Sequence, residues 1–156
     1  MLEPGFRGSR NMREFEAADL AGIQAFAPHA AIASLHAALA LADQKLRGLI
    51  ALPSLQFALV VLTRTDDEPL GDHHRDLLWR AFAVPVFEQL RDHVGTVIAW
   101  ECEVHDGLHL VEHAVLPDLP CEVVKGHCEC GAETPRLRNL ATLRHPLRQR
   151  AAAAAA

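Results

Sequence analysis

Phe57-Ala-Leu-Val-Val-Leu62 is a continuous apolar run, short enough for a strand and unbroken enough to be buried on both faces. The polar stretch Thr63 to Pro69 follows as a turn, and Asp72 then caps a helix whose Leu77, Leu78, Ala81 and Phe82 make the buried side. Val84-Pro-Val-Phe87 reads as the next strand, with its proline near the start, where a missing N–H costs least. Strand, helix, strand in this order predicts a parallel pair joined by a right-handed crossover. The fold class is therefore α/β, a small mixed sheet with flanking helices.

Upstream of this unit, Ile32, Leu35, Leu39, Ala42 and Leu46 recur at three- and four-residue steps and predict an N-terminal helix. Pro28 suits its first turn, Asp43 and Arg47 form an i,i+4 pair, and Gly48 is a reasonable stop. His29 and His36 would share one face of that helix; with no acid or thiol beside them, they are expected to be ordinary surface or packing residues. Residues 1–15, polar and punctuated by glycine and arginine, read as a flexible arm.

Downstream, Thr96 to Glu103 and Leu108 to Leu116 read as two strands joined by a turn at Asp106-Gly107. Cys121 to Gly131 has the look of a knuckle. From Arg136 to Arg150 come five arginines and no acid, expected to be a solvated or docked terminal segment, and six alanines close the sequence and are set aside from the fold reasoning. The domain organisation read from this is a single domain over 16–145, with an arm before it and a tail over 146–156.

The 156 residues are 50% hydrophobic and 22% charged, a globular composition that can bury roughly 70% of its unfolded surface without disulfide staples. The formal charge is −5, and only Lys45 and Lys125 are lysines, so a broad electrostatic grip on nucleic acid or anionic membrane is not expected. The start, Met1-Leu-Glu-Pro-Gly, lacks the pattern of a secretory signal, and the apolar region Ala25 to Ala42 is broken by Pro28, His29, Ser34 and His36. A cytoplasmic protein is expected, with a protein partner or a second copy of itself rather than a membrane.

Cys102, Cys121, Cys128 and Cys130 lie within 29 residues, and in a reducing compartment such clustering favours metal ligation over disulfides. Structural zinc takes four thiolates or imidazoles in a tetrahedron. The candidate ligands are Cys102, His105, His109, Cys121, His127, Cys128 and Cys130. Cys128-x-Cys130-Gly131 places two sulfurs beside a tight bend that the glycine permits, and the hairpin carrying Cys102 and His109 can supply the other two ligands. Inert buried thiols and an iron–sulfur or redox centre are the competing readings. Cys121 is the expected spare thiol; His105, His109 and His113, four apart, would share one face of a strand, and His73-His74 is expected on the surface at a helix start. The expected cofactor is Zn²⁺ in a structural role, completing the fold as a zinc knuckle.

Asp67-Glu-Pro-Leu70, Arg75 to Gln89, Glu101 to His109 and Cys128 to Leu137 occur in an order that resembles the central part of phenylacetate-CoA ligase-like enzymes, a branch of the adenylate-forming ligases. The resemblance covers about half of the chain and implies Cys102, His109, Cys128 and Cys130 as the zinc ligands. Adenylation needs donors cradling a triphosphate, and the family's Ser/Thr/Gly-rich loop has no counterpart here. Its Tyr-Gly-x-Thr-Glu motif is replaced by Leu90-Arg-Asp-His-Val-Gly95, and the chain has no tyrosine. Only 18 residues separate His109 from Cys128, where the family inserts a longer stretch with a ribose-binding aspartate. The C-terminal domain with its catalytic lysine is expected to be missing, so no catalytic or cofactor-binding residue is carried over. The expectation is a non-catalytic, pseudoenzyme-like zinc-binding accessory or interaction protein. The alternatives are a subunit completing an AMP-forming acyl-CoA ligase in trans, or a small zinc-dependent enzyme using Glu101, Glu103, Asp106 and His105 around an open metal.

Overall fold

A computed structural model describes residues 11–114 and 121–138. The apolar run forms a strand over Ala58–Arg64, and the turn after it leads into a helix over Asp72–Phe82 and a further strand over Val86–Arg91. The two strands pair in parallel, with Leu59 opposite Val86 and Arg64 opposite Arg91. Gly71, not Asp72, is the N-cap of the helix; Asp72 takes the first helical position, where its carboxylate meets the positive end of the helix dipole. The strand after the helix starts later than Val84, because Pro85 presents its carbonyl to the N–H of Leu59 and pairing proper begins at Val86.

The N-terminal helix is the main correction. Ala30–Ser34 is a strand that pairs in parallel with Ala58–Arg64, from Ala30 opposite Ala58 to Ser34 opposite Leu62. Ser34 then caps a shorter helix, Leu35–Leu46, accepting the Ala37 N–H on its hydroxyl. Leu35, Ala38 and Ala42 are the buried residues of this helix, whereas Ile32 and Leu46, expected in the stripe, are 62% and 54% exposed. Pro28 and His29 precede the strand, so His29 and His36 share no helical face; the His29 ring instead lies 5.8 Å from Phe57. A further short helix, Leu20–Phe26, is capped by Asp19 and buries no residue completely. Phe15 meets Phe26 at 5.5 Å between ring centres.

In chain order the helices are α1 (Leu20–Phe26), α2 (Leu35–Leu46) and α3 (Asp72–Phe82). The strands are β1 (Ala30–Ser34), β2 (Ala58–Arg64), β3 (Val86–Arg91), β4 (Val97–Glu101), β5 (Leu108–Leu110), β6 (Glu122–Val124) and β7 (Arg136–Arg138). Among the described residues they form one seven-stranded sheet in the order β1-β2-β3-β4-β5-β7-β6. β1 to β3 are parallel, the product of two successive β-α-β units, and every later pairing is antiparallel. The expected α/β class with a mixed sheet is thus the observed one.

The hairpin is also present, though trimmed. β5 stops at Leu110, not Leu116, and the connection from β4 runs through Cys102 to Gly107 with His105 and Gly107 at positive φ. A Cβ on Gly107 would lie 2.6 Å from the Leu137 carbonyl, so only glycine lets this loop rest against β7. Arg136, Leu137 and Arg138, expected at the start of a solvated tail, are a strand threaded between β5 and β6, with Arg136 buried. The rest of the arginine-rich segment, most of the N-terminal arm and residues 146–156 lie outside the described residues. Among the described residues no helix is long and apolar enough to cross a membrane.

Candidate metal centre

Three segments of the antiparallel half meet at one point. β4 ends at Glu101, so Cys102 is delivered just past its end, where the His105 N–H closes a turn on the Cys102 carbonyl at 3.1 Å. His109 occupies the middle of β5, opposite Trp100 on one side and Arg136 on the other, and is fully buried. Trp100 stacks on its imidazole with ring centres 4.9 Å apart. After β6 the chain bends: Gly131, at φ 92°, donates to the Cys128 carbonyl, and Cys128 donates to the carbonyl of Ala132. This bend turns Cys128 and Cys130 toward the hairpin.

The ligating atoms of Cys102, His109, Cys128 and Cys130 all lie within 4.8 Å of one another, and the first three residues are buried. The Cys102 and Cys128 sulfurs are 3.9 Å apart, and Cys130 Sγ is 3.4 Å from His109 Nε2. A tetrahedral ion with metal–sulfur bonds of about 2.3 Å and metal–nitrogen bonds of about 2.0 Å needs S···S edges of about 3.8 Å and S···N edges of about 3.5 Å. The group therefore has the donors and the spacing to hold a metal ion. His109 Nδ1 lies 2.9 Å from Thr134 Oγ1. With the proton placed on Nδ1 and donated to that hydroxyl, the Nε2 lone pair faces the sulfurs.

The surroundings push two of these thiols in opposite directions. Burial pushes the Cys102 thiol up to about 11, and the neighbouring Cys130 and Cys128 sulfurs add to this against the Val104 N–H. The Cys130 N–H donated to its sulfur holds Cys128 below the ordinary thiol range, with Arg136 adding its positive charge. Three thiolates exceed a divalent ion by one negative charge, which the Arg136 guanidinium nearby offsets. Arg136 and Arg138 both pair with Asp106 in the hairpin turn, tying β7 to the loop that carries Cys102.

The other sequence candidates fall outside the group. His105 leaves it to pair with Glu101 at 2.9 Å and to stack on Phe87. Cys121 packs against the smaller core, and His127 is exposed. His105 sits in the turn and His113 beyond β5, so the three regularly spaced histidines share no strand face. The pair His73-His74 is divided: His73 is exposed, but His74 is 6% exposed, and burial with His73 alongside lowers its pKa.

Two features had no signal in the sequence. One is Thr134, whose contact to His109 depends on the bend. The other is a charged network across the join between the sheet's halves. Arg75 of α3 reaches Glu101 at 3.0 Å and the Val86 carbonyl at 3.1 Å, Glu101 accepts the Glu88 N–H at 2.7 Å, and Thr63 donates to Glu88 at 2.5 Å. Arg75, Val86, Glu88 and Glu101 line one side of an open groove of about 740 Å³, which Trp79, 55% exposed, also lines.

No protein-family model matches the chain, and no curated protein matches it either.

Proposed function

We propose that the protein is a non-catalytic, zinc-binding accessory or interaction module, in which the ion clamps the antiparallel half of the sheet. The observation that carries this reading is the convergence of three cysteines and one histidine from separate segments within 4.8 Å, three of the four buried. Zn²⁺ is the ion proposed because soft thiolates with one imidazole in a tetrahedron match its preferences. Four protein donors fill a tetrahedral shell and leave no position for a substrate or an activated water, which separates a structural site from a catalytic one. The groove that Trp79 lines is the surface such a module offers a partner. On this reading the module is a pared-down relative of the ligases its stretches resemble, with the metal-binding residues kept and the nucleotide chemistry lost.

The test is metal content followed by chelation. The purified protein should contain about one zinc per chain, and a chelator strong enough to strip it should lower the melting temperature by tens of degrees, since structural zinc contributes roughly 10–16 kcal/mol of apparent binding energy. Zinc-free protein with an unchanged melting temperature would refute the reading.

A further inference from the structure

The helices leave one side of the parallel half bare. β1, β2 and β3 stand side by side in chain order, so both crossovers step the same way and, being right-handed, put α2 and α3 on the same face. Both helices share one core with Leu59, Val61 and Val86, and α1 packs against that core through Leu20 and Ile23. The residues that alternate with the strand members of this core, Ile32, Val60, Leu62 and Phe87, point to the other side. Ile32 is 62% exposed, and the other three are only half-buried. Trp100 of β4, opposite Gln89, continues the same side and is 39% exposed.

A parallel sheet occurs in water almost only with both faces covered. We propose that a second copy of this chain covers this face, the two sheets packing face to face about a two-fold axis.

Size and charge both point to a copy of the same chain. Four strands about 4.8 Å apart, each about six residues long at about 3.3 Å per residue, make a face of roughly 400 Å² in projection. With the relief of its side chains, a pair of such faces reaches the roughly 1,000 Å² at which specific, reversible interfaces begin. Two sheet faces also match in shape, their side chains interdigitating across about 10 Å. Among the described residues no acid of β1 to β3 points to this side. Its charges there are Arg64 and Arg91, paired with each other in register at the C-terminal ends of their strands. A two-fold axis running across the strands sets the copies antiparallel and places these arginines at opposite ends of the interface, so like charges never meet. The association uses the parallel half alone and does not depend on the metal.

The experiment is sedimentation equilibrium of the full, zinc-loaded chain over a wide concentration range. The parent should form a dimer and nothing larger, because an isologous contact uses up the face. Ile32→Lys and Val60→Lys should each weaken association by at least about a hundredfold. Ile32 is exposed in the single chain, so its variant should keep the parent's circular dichroism and zinc content. Val60 lies on an interior strand that edge-to-edge pairing through β1 cannot reach, so its variant separates the two modes of association. A dimer that survives Val60→Lys would overturn the proposal, as would a parent chain that stays monomeric throughout. A monomer whose Ile32 and Val60 methyl groups are shielded from a soluble paramagnetic probe would give the face to another segment of the chain and overturn it equally.

Discussion

The two halves of the sheet are built on different physics. The parallel half, β1 to β3 with α2 and α3, closes over a core of fourteen buried residues running from Leu35 to Val86. Among the described residues the antiparallel half, β4 to β7, has a core of five, in which Leu90 of β3 joins Ile98, Ala99, Leu108 and Leu137. Three of its four strands are three residues long. At roughly 25 cal/mol per Å² of apolar surface, so small a core cannot repay the conformational entropy of ordering its loops. Where burial runs short, cross-linking substitutes for it, and the cysteine and histidine donors stand where β4, β5 and the bend after β6 need to be joined.

If this contrast is right, the largest effect follows from removing a metal ligand. Cys128→Ser should abolish zinc binding and cost most of the roughly 10–16 kcal/mol that structural zinc supplies. Amide exchange should show protection lost over β4 to β7 and kept in β1 to β3; uniform loss across both halves would erase the distinction. Leu78→Ala, at a fully buried position of α3, should cost about 2–5 kcal/mol by urea unfolding and leave zinc content unchanged. Arg75→Met probes the join, since Arg75 of α3 meets the buried Glu88 and Glu101. Taking the guanidinium away from those two buried carboxylates should cost about 3 kcal/mol, and the same measurement compared with Arg75→Lys would separate charge from geometry.

Smaller effects sharpen the picture of the metal centre. Thr134→Val removes the hydroxyl that orients His109 and should weaken zinc binding by about 10- to 100-fold, read by chelator competition, with little change in the fold. The smallest effect is on acid sensitivity. The hydrogen bond from Arg138, joined by the charges of Arg138 and Arg136, holds Asp106 below its ordinary value of 3.8. A carboxylate depressed in the folded state adds stability above that value and loses it as pH falls through the folded pKa. Asp106→Asn should therefore lower the melting temperature at neutral pH, and the gap from the parent should narrow as the pH is taken below 3.8.

The parallel unit from Ala58 to Phe87 was legible because burial demands an unbroken apolar run, although Phe57, read as the start of that run, lies before the strand and is 67% exposed. The hairpin was legible through its turn residues. β1 was not, since Ala30-Ala-Ile-Ala-Ser34 is alanine-rich and carries no period to distinguish an edge strand from the helix that follows. β7 was hidden for the opposite reason. Arg136 and Arg138 look solvated in a sequence, and it is the Asp106 carboxylate, 30 residues away, with the His127 carbonyl, that makes a buried position acceptable for Arg136. Among the metal donors, the C-x-C pair and its glycine announce a bend, but nothing local to His109 or Cys102 shows that they face it. That depends on the register that sets Trp100 against His109 and Arg136 beside it.

The central claim is that one zinc ion joins the hairpin to the bend, and X-ray absorption at the zinc edge of the purified protein tests it directly. The account predicts three sulfurs at about 2.3 Å and one nitrogen at about 2.0 Å, with no bound water. A shell of nitrogen and oxygen alone, or fewer than three sulfurs, would contradict it.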